Sequence, residues 1–169
     1  AIPMGPLAVE VYNQNKDFLN CLSQDVRKKM KVRPFPLGGW ETKDRYIDDF
    51  GFDIISSQGS LSNTILNSRL VICAYPQTTF SEAMYSGIPT IILFHEEFWE
   101  VQPIYNELIN LLKESGIMYT DKILAAQHVE SIVSDPMEWW NEPKTILARE
   151  KFNELCFTIE LNPMDSWVE

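Results

Sequence analysis

A chain of 169 residues with 45% apolar side chains can form one domain with a sizeable core, and its composition excludes a disordered polymer. Its net charge of −10, from 14 basic and 24 acidic residues, argues against general nucleic-acid binding and broad adhesion to anionic lipid, although a local basic patch stays open. No apolar stretch approaches the ~20 residues of a membrane span, and the first residues lack a basic segment followed by an apolar signal core.

Residues 1–14 read as an irregular lead-in, with 7–12 either extended or entering the first helix. Residues 15–29 carry Phe18, Leu19, Leu22 and Val26 at helical spacing and close on Arg27-Lys28-Lys29, which predicts a helix. Residues 31–36, with Pro34 and Pro36, read as extended, because the residue before a proline is pushed out of the α region. Residues 37–49, with Gly38-Gly39 and mixed charge, read as a loop holding at most one helical turn. A short strand is expected at 52–56, and a helix at 60–67 that Ser60 would cap.

Strands follow at 70–74, 90–94 and 117–119. Helices are expected at 80–85, 104–115 (ended by Gly116), 121–134 and 144–157, with an acidic, aromatic loop at 96–103. Residues 136–169 form a Trp-containing helical segment. Strands alternating with helices at this period predict an α/β, Rossmann-like three-layer domain with a mostly parallel sheet, spanning 1–169 as one unit.

The segment 68–94, SRLVICAYPQTTFSEAMYSGIPTIILF, carries most of the functional information. An apolar run leads through Tyr75-Pro76-Gln77-Thr78-Thr79 into a short helix, then through Ser86-Gly87-Ile88-Pro89 into a second apolar run. This is a βαβ unit whose hydroxyl-rich turn falls at the carboxyl end of a strand, where open parallel sheets bind ligands. Gln77, Thr78 and Thr79 occupy the start of the helix, where free N–H groups and the positive dipole end suit a phosphate. A plain helix cap is the competing use of the threonines. Glu82 shares their side of the helix and, flanked by apolar residues, is expected to be partly buried. Such a carboxylate needs donors, and ribose hydroxyls would supply them.

Arg33 and Arg45 are the leading phosphate partners, with surface pairing to Asp44, Asp48 or Asp49 as the alternative. His95 follows a strand and precedes Glu96-Glu97, acids that would raise its pKa; it could touch a sugar or phosphate or be an ordinary loop histidine. His128 is expected at the surface. Cys21, Cys73 and Cys156 read as reduced core thiols, and no metal-ligand spacing or GxSxG nucleophile motif occurs. Asp48-Asp49 is the nearest imitation of a metal-binding acid pair and falls in the expected loop. Trp99, Trp139, Trp140 and Trp167 are expected to cover the core and pack the last helix, with an inter-domain interface as the second reading.

The order R/K-P-x-P, a strand ending L-V-I, then T-T-x-x-E-A-x-x-x-G-I-P-T-I resembles the C-terminal half of GT-B glycosyltransferases over about 31–121. The likeness is to bacterial surface-polysaccharide transferases and a loosely described group of transferases related to them. It implies that Thr78, Thr79 and Glu82 lie beside the phosphates and ribose of a nucleotide-sugar donor, with Arg33 a weaker match. Where the broader family often has lysine-proline-histidine-proline, Phe35 stands in the histidine's place, so that phosphate contact is lost or supplied elsewhere. The resemblance further implies a missing N-terminal half as partner, a carbohydrate acceptor, and a catalytic base outside this chain. A domain of this length is then a fragment that binds without turnover. No cofactor is implied beyond the donor as substrate, and the expected location is cytoplasmic, with peripheral contact at the inner membrane face. Two rivals remain: a non-catalytic α/β interaction domain that keeps the fold without the ligand, and a small complete enzyme using Glu82 and His95.

Overall fold

The computed structural model describes residues 6–34, 41–56 and 59–156. Helix α1 (Pro6–Cys21) comes first, then α2 (Gln24–Arg27), α3 (Thr42–Phe50) and α4 (Leu61–Leu66). Strand β1 (Val71–Cys73), α5 (Thr78–Tyr85), β2 (Thr90–Leu93), α6 (Asn106–Glu114), β3 (Met118–Tyr119) and α7 (Lys122–Ile132) then alternate. Helices α8 (Pro136–Trp140) and α9 (Pro143–Cys156) complete the described chain. The three strands lie in sequence order, all parallel, with Val71 opposite Thr90, Ile92 opposite Met118 and Leu93 opposite Tyr119. The fold is therefore α/β with a small parallel sheet, as the alternating pattern predicts.

Strand β2 is buried along its whole length, with Ile91 and Ile92 fully enclosed, as a central parallel strand covered on both faces must be. Helix α9 packs along α6 and touches α5, where Phe80 and Phe152 meet edge to face with centroids 5.2 Å apart. Helix α1 packs along α7. Val32 and Ile55 form a separate parallel bridge and pack against the same core.

Several sequence expectations need correction. Residues 6–14 belong to α1 and are not an irregular lead-in, with Val11 and Tyr12 buried. The helix expected at 15–29 breaks after Cys21, and Ser23 restarts it by accepting the Val26 N–H. The loop expected at 37–49 contains α3, which takes in Asp48 and Asp49. Its sequence is mostly charged and buries only Tyr46 fully, with Ile47 and Phe50 half-buried beside it, a short stripe that a loop reading overlooks. The strand expected at 52–56 is instead a 3-10 turn, Phe52–Ile54, followed by one bridge residue. Among the cysteines only Cys73 is buried, its thiol pushed up to about 12 by burial, whereas Cys21 and Cys156 are exposed. Residues 35–40, 57–58 and 157–169, including Phe35, Gly38-Gly39 and Trp167, lie outside the described residues.

His128 is half-buried rather than at the surface, set between the rings of Tyr119 (5.5 Å) and Trp139 (4.8 Å). Burial pulls its pKa below the ordinary 6.5, Lys144 adds to that, and Glu142 opposes it. A depressed folded value means the unfolded chain takes up a proton that the folded imidazole resists. The histidine's contribution is therefore complete above pH 6.5 and declines as the pH falls through that value. Urea midpoints measured between about pH 7.5 and 5.5 should fall on acidification, and His128→Gln should flatten that slope. An unchanged slope in the variant would refute the assignment.

Candidate functional site

The carboxyl ends of the parallel strands gather the residues of interest. After β1 the chain turns through 74–77, where the Gln77 N–H donates to the Tyr75 carbonyl (3.0 Å). Gln77 is the residue that opens α5; its carbonyl accepts from the N–H groups of Phe80 (2.8 Å) and Ser81 (3.3 Å). Its side chain makes no capping bond to the helix. Neither threonine is therefore the cap that the competing reading required. Thr78 and Thr79 are the first two helical residues, one exposed and one half-buried. Among the described residues nothing accepts from their N–H groups. Those are the donors that a helix start leaves over.

Glu82 is exposed, against the expectation of partial burial. Phe80, Ala83 and Met84 define the buried face of α5, and at about 100° per residue Glu82 falls well off it. The desolvation argument for a ribose contact accordingly fails. What survives is placement: Glu82 is exposed, three and four residues beyond Thr79 and Thr78, on the side of the helix they share.

Arg33 is directed elsewhere within the described residues. Its guanidinium donates to Thr64 Oγ1 (2.9 Å) and to the Gly59 carbonyl (2.8 Å), bracing the turn into α4. Arg45 sits on α3 with its guanidinium 6.0 Å from the Tyr12 ring centroid. It belongs to a clasp between α1 and α3. There the Tyr12 hydroxyl donates to Asp49 and to the Arg45 carbonyl, and Lys16 Nζ reaches Asp49 at 2.7 Å. The bonds from Lys16 and Tyr12 hold the Asp49 carboxyl below its usual range.

His95 does fall at the carboxyl end of β2, as expected, and is half-buried with its ring 5.8 Å from that of Phe98. Its pKa is lowered and not raised, because burial outweighs the attraction of Glu97 and Lys122 repels a second positive charge. Its buried Nε2 has no hydrogen-bond partner among the described residues. The same strand edge carries residues to which the sequence reading gave no role at a site. Trp99 stacks on Tyr75 (6.2 Å, 27°), joining the segments that follow β2 and β1. Gln14 of α1 donates to Glu97 Oε1 at 2.6 Å, and Lys122, just beyond β3, pairs with Asp17 of α1. For Tyr75, Glu97, Trp99 and Lys122 the available signal was position soon after a parallel strand, the rule applied to the threonine turn and to His95; Gln14 and Asp17, on α1, carried no such signal.

Two cavities lie away from this edge. One, of about 280 Å3, is walled by Arg27, Lys28, Met30 and Phe50, and the other, of about 330 Å3, by Lys31, Asn63, Thr64 and Asn67. Neither is lined by Thr78, Thr79 or Glu82. Among the described residues no three His, Cys, Asp or Glu side chains are grouped to hold a metal, and no helix is long and apolar enough to cross a membrane.

Comparison with known families decides the class. The model of the LIC12162 family transferase matches residues 1–169. The chain belongs to this family. No curated protein and no solved structure matches it. In this LIC12162 family transferase the α5 start presents, among the described residues, two N–H groups without acceptors, two hydroxyls and an exposed carboxylate at the carboxyl end of β1.

Proposed function

We infer that this transferase domain holds a nucleotide-activated sugar, or a similarly activated group, as the donor half of a GT-B-like enzyme. An N-terminal half would bring the carbohydrate acceptor and the catalytic base. The observation that carries the reading is the start of α5: among the described residues the N–H groups of Thr78 and Thr79 have no acceptor, and Glu82 is exposed on the same side one turn on. In this reading Gln77, Thr78 and Thr79 receive the phosphate, and Glu82 accepts from the sugar hydroxyls of the nucleotide. His95, held neutral by burial, contributes its unpartnered nitrogen as a hydrogen-bonding group. Arg33 supports the site indirectly through the Gly59 turn.

The test is thermal unfolding of the chain with UDP, GDP, CDP, CMP and ADP, each in large excess. A ligand at about a hundred times its Kd stabilises by about 2.7 kcal/mol, which for a domain of this size raises Tm by several degrees. One nucleotide should give that shift, and Thr79→Val and Glu82→Ala should each remove most of it while leaving the ligand-free Tm within about 2 °C, because both sites lie near or at the surface. No shift with any of the five would count for the ligand-free interaction domain and against the donor site.

A further inference from the structure

The distribution of cations is uneven in a way that the α5 site does not explain. Five of the 14 basic residues, Arg27, Lys28, Lys29, Lys31 and Arg33, fall within positions 27–33 of a chain whose net charge is −10. Elsewhere five of the six lysines, Lys16, Lys113, Lys122, Lys144 and Lys151, each pair with a carboxylate, Lys43 being the exception among the described residues. Arg27, Lys28, Lys29 and Lys31 make no ion pair among the described residues. Arg27 donates to Asn20 Oδ1 at 3.5 Å and Lys31 to the Asp53 carbonyl at 2.5 Å; both acceptors are neutral. The acids placed nearest are Asp25 on α2, Asp53, and Glu130 of α7, which accepts from Ser23 at the start of α2, so the four cations outnumber them by one.

An apolar feature stands beside the cations. Phe52, the first residue of the 3-10 turn, is 72% exposed, although Ile54 of the same turn is buried. Asp53 and Ile54 share the cavity of about 280 Å3 with Arg27, Lys28, Met30 and Phe50, which fixes the basic segment and the Phe52 turn as neighbours. Both segments precede the Val32–Ile55 bridge, so the surface lies at the amino-terminal ends of the bridged pair.

We propose that Arg27, Lys28, Lys29 and Lys31, with Phe52, form a surface that docks on anionic lipid. Charge complementarity supplies attraction, since each cation near a negatively charged bilayer adds to binding and the effect is screened by salt. The exposed phenyl ring selects among anionic partners. It gains nothing from a soluble polyanion in water, whereas at a bilayer it enters the headgroup zone, where aromatic side chains are favoured. Four cations and one ring make a reversible contact, not an anchor. The overall negative charge restricts contact to this face and orients the domain on the surface.

Vesicle flotation of the whole chain provides the test, with equal parts phosphatidylglycerol and phosphatidylcholine against phosphatidylcholine alone. Binding is expected only to the anionic vesicles, and it should disappear on raising salt from about 0.1 M to about 0.5 M. The double variant K28E/K29E should lower the partition coefficient by at least about tenfold, and Phe52→Ser by several-fold. All three side chains are exposed, so far-ultraviolet circular dichroism should stay unchanged; Lys29→Gln alone, with a smaller loss, serves if the double variant misfolds. Absence of binding to anionic vesicles overturns the proposal. So does binding that the charge reversal leaves intact, or retention on heparin combined with indifference to Phe52→Ser, which would assign the patch to a soluble polyanion. Nucleotide stabilisation is measured without lipid, so either result can fail without the other.

Discussion

Trp140→Ala should remove a large share of the folding stability of this domain. The indole is fully enclosed, its N–H donates to the Gly87 carbonyl at 2.8 Å, and the Arg149 guanidinium lies 4.4 Å from the ring centroid. Its neighbour Trp139 donates to the Ser115 carbonyl at 2.9 Å. Each indole thus secures a turn that closes one helix and feeds the next strand: Gly87 leads from α5 into β2, and Ser115 leads from α6 into β3. Truncating a buried tryptophan costs about 3–5 kcal/mol, and the stranded carbonyl adds about 1 kcal/mol. Domains of this kind have about 5–15 kcal/mol in total. Urea unfolding followed by circular dichroism should show the midpoint collapsing for Trp140→Ala. Trp140→Phe, which retains much of the packing but not the N–H, should lose about half as much or less. A loss below about 1 kcal/mol for the alanine variant would mean that α8 does not hold these turns.

The same turns illustrate what a sequence discloses. Strands β1, β2 and β3 and helices α5, α6, α7 and α9 were legible because apolar periodicity and the glycines at 87 and 116 mark them without help from distant residues. Helix α3 was missed because Tyr46, Ile47 and Phe50 make only a short stripe among five charged side chains, in a stretch that Gly38-Gly39 marked as a loop. At the site, the threonine turn was legible since position beyond a strand is a local property. The fate of Glu82 depended on which face of α5 the core claims, and that of Arg33 on where the Gly59 turn lands. His95 looked like a histidine raised by its acidic neighbours, yet enclosure by the fold dominates them. Side-chain type and spacing gave the location of the candidate site; burial, which decides charge and partner, came only with tertiary structure.

Gly116→Ala is expected to be the costliest glycine-to-alanine substitution among the described residues, for a reason that a comparison with Gly87 isolates. Both residues end helices with a positive φ, +77° at Gly116 and +74° at Gly87, a conformation that burdens any side chain with about 1–2 kcal/mol. They differ in surroundings. A Cβ at Gly87 meets nothing within 4 Å, whereas one at Gly116 stands 3.1 Å from the Tyr119 hydroxyl oxygen and 3.2 Å from His128 Nε2. Those two groups flank a buried turn, where the Gly116 N–H donates to the Lys113 carbonyl (3.1 Å) and the Ile117 N–H to the Leu112 carbonyl (2.9 Å). Yielding would disturb the packing of His128 between Tyr119 and Trp139, and such crowding costs about 1–3 kcal/mol. Gly87→Ala should therefore lose about 1–2 kcal/mol and Gly116→Ala roughly twice that, with His128→Ala in the same chain recovering part of the difference. Equal losses at the two glycines would show that backbone conformation alone is felt and that the imidazole stands clear of the turn.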